Sequence, residues 1–170
     1  MAITKIQSES LNLADNYDFT GSVTGAGGEN KYEFYAYQNT SHSIANNTNT
    51  TIQFDTESFD SDGKYSTSTY TYSPAEAGFY HVGFSLGINA ATDYSIQQVV
   101  LIKNTSTELA RVRRPHTGNT QAIQNYFAST IVQLGASDTL KIQAYQNSGS
   151  SRNTYNTIND TYFWGYKLIT

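Results

Sequence analysis

Apolar and polar positions alternate with a period of two through most of this chain, most clearly over residues 73–88. There Pro74 and Gly78 set a turn, and Tyr80, Val82, Phe84, Leu86 and Ile88 follow at every second position. The residues between them, His81, Gly83, Ser85 and Gly87, are small or polar. Successive side chains of a strand point to opposite faces, so this pattern predicts a long strand with one apolar face and one tolerant face. A second such strand is predicted over 162–169, Tyr-Phe-Trp-Gly-Tyr-Lys-Leu-Ile.

Shorter strands separated by polar turns are predicted from residue 32 onward, the pattern of a sandwich or barrel. They fall at 32–37, 51–54, 65–72, 94–103, 107–113, 123–134 and 139–146, with a turn at Asp60-Ser61-Asp62-Gly63 and loops at 42–50, 117–121 and 147–157. No stretch has a helical period. Val99-Val100-Leu101-Ile102 is apolar at every position. A strand with two apolar faces needs a second covering surface. Aromatic residues at outward positions of other strands, Tyr35, Tyr37, Tyr145, Trp164 and Tyr166, suggest the same. The sequence therefore predicts a homo-oligomer whose interface uses Tyr35, Tyr37, Val99, Leu101, Tyr145, Trp164 and Tyr166.

The first 28 residues read as a separate unit. Ile3, Ile6, Leu11, Leu13, Tyr17 and Phe19 are spaced along a polar arm that ends in the hinge Thr24-Gly25-Ala26-Gly27-Gly28. So little apolar surface cannot order the segment alone, at about 25 cal/mol per Å2 buried. The expectation is an arm that docks on a partner chain, or failing that a leading hairpin of the main domain, residues 29–170.

Composition narrows the function. Only 14 % of residues are charged, and 14 Tyr stand against one Trp, which suits β-rich surfaces that pack against other proteins. A net charge of −4 and a pI near 5.2 disfavour nucleic acid as a partner, because phosphate contacts need clustered Lys and Arg. With no cysteine there is no disulfide framework or thiolate metal site. No apolar signal core opens the chain and no eighteen apolar residues run together, so the expectation is synthesis in a cytoplasm and no membrane partner. The Asn-x-Ser/Thr triplets at Asn39, Asn46, Asn49, Asn104 and Asn159 are read as chance in so Ser/Thr-rich a chain.

The order of these landmarks over residues 32–170 resembles the complement C1q and tumour-necrosis-factor-like jelly-roll superfamily. The resemblance rests on Phe34-Tyr35-Ala36-Tyr37, Ile52-Gln53-Phe54-Asp55, Asp60-Ser61-Asp62-Gly63-Lys64-Tyr65, and Tyr70-Thr71-Tyr72-Ser73-Pro74 with Ala77-Gly78-Phe79-Tyr80. It continues through Val100-Leu101-Ile102-Lys103-Asn104, Val132-Gln133-Leu134 with Asp138-Thr139-Leu140-Lys141-Ile142, and the closing Tyr162-Phe163-Trp164-Gly165-Tyr166-Lys167-Leu168-Ile169. The usual Gly-Asp pair before the penultimate strand is stretched to Gly135-Ala136-Ser137-Asp138. The resemblance implies an all-β antiparallel sandwich, a ten-strand jelly roll that trimerises, binds macromolecules and is not an enzyme. The arm and hinge look like those of bacteriophage virion proteins. Together they imply a virion-surface trimer, made in the host cytoplasm, that decorates and cements a capsid through the major capsid protein. The alternative is a tail-fibre or head-fibre head that recognises a host-surface glycan.

Candidate chemistry is thin. His42, His81 and His116 lack the context of a catalytic triad. Asp55, Glu57, Asp60 and Asp62 read as turn formers rather than paired glycosidase acids. Asp60-Ser61-Asp62-Gly63 resembles the start of a calcium loop but lacks its distal Glu, so a plain hairpin turn is expected. No catalytic residue, cofactor or metal is assigned. The basic cluster Arg111, Arg113 and Arg114 reads either as a solvated loop or as a contact to a neighbouring subunit, the capsid or an anionic glycan.

Overall fold

The computed structural model describes residues 31–89, 93–117 and 123–168, and among them every regular element is a strand. The strands are β1 (Glu33–Tyr37), β2 (Ser43–Ile44), β3 (Thr50–Thr51), β4 (Thr56–Asp60), β5 (Tyr65–Ser66), β6 (Thr71–Tyr72) and β7 (Gly78–Asn89). They continue as β8 (Asp93–Lys103), β9 (Thr107–Thr117), β10 (Ile123–Leu134), β11 (Leu140–Gln146), β12 (Arg152–Tyr155) and β13 (Tyr162–Lys167). One sheet has the order β2-β12-β7-β13-β1-β4, with β10 along the other side of β7. The other has the order β5-β6-β11-β8-β9, with β3 also on β11. All these pairings are antiparallel. The chain is thus an all-β sandwich of jelly-roll type.

Alternation explains the core. Phe34 and Ala36 of β1, Tyr80 to Ile88 at even positions of β7, Val99 and Leu101 of β8, Leu140, Ile142 and Ala144 of β11, and Phe163 of β13 all point inward and are buried. Phe34 stacks on Tyr72 at 4.1 Å between ring centroids and meets the edge of Phe163 at 4.8 Å, which ties the two sheets together.

The jelly roll expected with ten strands has thirteen among the described residues, four of them, β2, β3, β5 and β6, two residues long. Two expectations need correction. The strand predicted over 65–72 is a tight hairpin, β5 to β6. Thr69 N donates to the Ser66 hydroxyl, and Tyr70 closes the turn with φ of 59°. Ser and Thr hydroxyls there bond locally and compete with the ladder. Residues 56–60, where no strand is predicted, form β4 at the sheet edge, where Phe59 pairs with Tyr35. The six arm residues Ile3, Ile6, Leu11, Leu13, Tyr17 and Phe19, the hinge, and most of the loop at 117–121 lie outside the described residues.

Candidate functional site

The outward positions of the seven-stranded sheet form the most distinctive surface. Directly paired residues of antiparallel strands share a face. The register therefore aligns Phe59, Tyr35, Trp164, Gly83 and Ser129 in one row across β4, β1, β13, β7 and β10. A neighbouring row holds Glu33, Tyr166, His81 and Ile131, and another holds Tyr37, Tyr162, Ser85 and Phe127. The small residue at position 83 is needed for this arrangement. A Cβ there would lie 2.7 Å from Trp164 Cζ2 and 2.8 Å from Ser129 Cβ, so the indole lies flat over the glycine.

The rings hold one another in place. Tyr35 stacks on Tyr162 at 5.3 Å, and Phe59 leans on Tyr35 at 5.9 Å. Tyr166 lies parallel to Trp164, His81 meets the Trp164 ring edge-on at 4.9 Å, and His81 Nδ1 is 3.0 Å from the Tyr166 hydroxyl. The Tyr35 hydroxyl donates to the Ile158 carbonyl oxygen, and burial of that ring raises the phenol pKa. Between these groups is a cleft of about 450 Å3, bordered by Glu33, Tyr35, Phe59, Ile158, Asn159 and Trp164. Farther along the face Phe127 and Ile131 are 56 % and 61 % exposed, and Phe59 is 49 % exposed. Exposed apolar patches of this kind are uncommon on soluble domains and recur at protein–protein contacts.

The predicted interface set divides three ways. Tyr35, Tyr37, Trp164 and Tyr166 belong to this face. Val99 and Leu101 do not: both are fully buried inside the sandwich, opposite Ala144 and Ile142. Their outward neighbours Val100 and Ile102 are only 4 % exposed, flanked by Gln143 and Arg111 and by Lys141 and Glu108. The aliphatic stems of those long polar residues supply the covering surface that the apolar run requires. Tyr145 is on the outer face of the six-stranded sheet, where its hydroxyl donates to Asn47 Oδ1. Phe79, Phe127, Ile131 and Phe59 are interface candidates that sequence reasoning missed. The signal was present in β10: Tyr126, Val132 and Leu134 take the inward phase, and Phe127 and Ile131 make the outward phase apolar as well.

The remaining candidates are apart from this face. Arg111 forms an ion pair with Glu108 of its own strand, Arg113 is exposed, and the Arg114 guanidinium sits over the Tyr126 ring at 5.3 Å. Asp55 accepts hydrogen bonds from Asn39 N at 2.7 Å and Thr40 N at 3.0 Å, which is loop-forming work. His42 is partly buried in its loop, and burial lowers its pKa. Among the described residues no trio of His, Cys, Asp or Glu converges.

No family model matches the sequence, and none of the curated proteins does. Solved structures do match. The Eiger TNF of S. frugiperda superposes with a TM-score of 0.64 at 12 % identity, covering 81 % of this chain and 92 % of that one. Murine APRIL gives a TM-score of 0.61 at 12 % identity, with 80 % and 98 % covered. The globular domain of zebrafish complement 1qA protein gives 0.59 at 11 % identity, with 82 % and 98 % covered. With two antiparallel sheets, an aromatic core across them and these neighbours, the chain has the C1q/TNF-like jelly-roll fold.

Proposed function

We propose that this protein is a homotrimeric virion-surface protein that decorates and cements a phage capsid. The observation that carries the assembly is the outer face of β4, β1, β13, β7 and β10, where Phe59, Tyr35, Trp164, Tyr166, Phe127 and Ile131 gather around small or polar Gly83, Ser85, Ser129 and His81, with Glu33 at one border. A cyclic arrangement would place the Phe127 and Ile131 edge of one subunit against the aromatic face of the next. The contact is heterologous and closes at three copies. The arm, with Ile3, Ile6, Leu11, Leu13, Tyr17 and Phe19, would then dock on the major capsid protein. Three weak arms on one trimer bind far more tightly than one, because the second and third dock at high effective concentration. Such a protein is made in the host cytoplasm and ends on the virion surface, and it performs no chemistry.

A fibre-tip role is the second reading. The cleft beside Tyr35, Phe59 and Trp164, with Glu33 and Asn159 at its border, combines ring faces with hydrogen-bonding groups, as sugar recognition requires. Light scattering on the full chain and on residues 29–170 tests the assembly, with three times the 18.8 kDa chain mass expected for both. Co-sedimentation with capsids then separates the two roles. Saturation at many copies per particle, lost without residues 1–28, is expected for cement. Glycan binding retained without the arm would favour the fibre tip.

A further inference from the structure

The cleft on the aromatic face is opened by rings that lean apart. Tyr35 and Trp164 are direct cross-strand partners, a position at which side chains ordinarily meet. Tyr35 instead stacks on Tyr162, one pair farther along the strands, at 5.3 Å. Trp164 leans the other way, flat over Gly83 and parallel to Tyr166 at 5.9 Å. The gap between them is the cleft of about 450 Å3, which is within the range of ligand sites, about 300–1,000 Å3. Its two ends differ. Glu33 pairs with Tyr166 and stands at one end, about 7 Å along the strand from Tyr35. Ser61 fixes the Glu33 backbone: the Glu33 N–H donates to Ser61 Oγ at 3.1 Å, and the Glu33 carbonyl oxygen accepts from the Ser61 hydroxyl at 3.1 Å and the Ser61 N–H at 3.0 Å. At the other end are Ile158 and Asn159, joined to the rings by the Tyr35 hydroxyl, which donates to the Ile158 carbonyl oxygen at 3.2 Å. Among the described residues that line the cleft, Glu33 is the one with a charge, and none is Lys, Arg or His.

We propose that this cleft takes an amino sugar, a glycan unit with a protonated amine, seated on the rings with its ammonium group toward Glu33. The inference deepens the second reading above, the fibre tip, and rests on it. A ring face gives a sugar an apolar surface to lie on and also carries the negative end of the ring quadrupole, which attracts a cation. The Glu33 carboxylate adds a full charge at one end, and an ammonium that meets it makes a charge-assisted hydrogen bond, about twice as strong as a neutral one. Asn159 supplies a donor and an acceptor for a hydroxyl at the far end. The same arrangement rejects acidic sugars, because a uronate carboxylate in the cleft would face Glu33 with no cation at the border. Arg111, Arg113 and Arg114 belong to β9 of the other sheet and do not compensate.

The test uses the full chain at about pH 6, where amines are protonated and carboxylates ionised. Trp164 is the sole tryptophan, so its emission reports on the cleft directly. A glucosamine tetramer should change that emission saturably and bind about tenfold more tightly than the N-acetylglucosamine tetramer, which keeps the sugar ring and loses the charge. A galacturonate tetramer should leave the emission unchanged. Glu33→Gln should bring the two glucosamine-type tetramers to equal affinity without loss of the neutral one. Tyr35→Ala, checked for folding by circular dichroism, should weaken both. Equal binding of the two tetramers by the native chain overturns the inference and leaves the sugar reading standing. So does a glucosamine preference that survives in Glu33→Gln, or tighter binding of the galacturonate tetramer. A native chain that binds none of the three overturns the inference and the sugar reading together.

Discussion

The two sheets face the surrounding water in opposite ways. On the six-stranded sheet Val100 and Ile102 are outward and apolar, yet Arg111, Glu108, Lys141 and Gln143 flank them and leave almost nothing exposed. On the seven-stranded sheet the outward side chains include Tyr35, Phe59, Tyr162, Trp164, Tyr166, Phe127 and Ile131, and among the described residues Glu33 is the charged side chain in their rows. The first face solves its exposure within the chain, and the second keeps Phe59, Phe127 and Ile131 open to solvent. Apolar content alone did not distinguish them. What distinguishes them is the identity of the cross-strand neighbours, which is set by register and not by sequence proximity.

The largest expected effect is on the uncovered face. Ile131→Lys, with Phe127→Glu as a second variant, places a charge where the proposed trimer would bury it, at a cost of several kcal/mol per site. The expected outcome is a monomer by light scattering with a near-native circular dichroism spectrum. Arg113→Ala and Lys141→Ala on the other sheet should leave the mass unchanged. A monomerising effect of the latter pair would reverse the assignment of faces. Next comes Gly83→Val. The new side chain cannot coexist with the Trp164 indole and Ser129, so overpacking should cost about 1–3 kcal/mol and shift the tryptophan emission, measured by urea unfolding and fluorescence.

Much of this was legible in the sequence. Alternation located β7, β10, β11 and β13 within a residue or two; the strands and turns read as a sandwich or barrel, and the resemblance to the C1q/TNF-like superfamily implied the jelly roll. Tyr35, Tyr37, Trp164 and Tyr166 were assigned to an outer face, and all four are on one. The failures have physical causes. Period-two reading shows that a strand has two faces but not which one is inward, so the Val99–Ile102 run gave Val99 and Leu101 to the surface although they take the core phase. Tyr145 was grouped with Trp164 because both are outward, but outward from different sheets. Strand pairing across more than a hundred residues, such as β1 on β13, decides those questions, and no local pattern encodes it.

A smaller effect tests the covered face. Ile102→Val removes one methylene from beneath Lys141 and Glu108 and should cost about 0.5–1.5 kcal/mol with no change in oligomeric mass. If the mass falls, Ile102 contributes to an interface and the two faces are less distinct than their exposures imply.

The smallest effect concerns Asp138, in the turn before β11. Asp138 is held by the Lys103 ammonium at 2.7 Å, the Gly135 N–H at 2.7 Å and the Asn104 side-chain amide at 2.9 Å. These lower its pKa to about 2, with Lys103 first among them, the Gly135 amide next and Asn104 after it. A carboxyl whose folded pKa is depressed contributes stability above its unfolded pKa, near 4. That contribution fades as pH falls through 4 toward 2, where the folded state must also take up the proton. Because the pair is close to solvent, the gain is small. Asp138→Asn should therefore lower stability slightly at pH 7, leave it unchanged at pH 2, and flatten the acid limb of a melting-temperature profile between those values. An unchanged slope would mean that Lys103 and Asn104 hold the turn without help from the carboxylate charge.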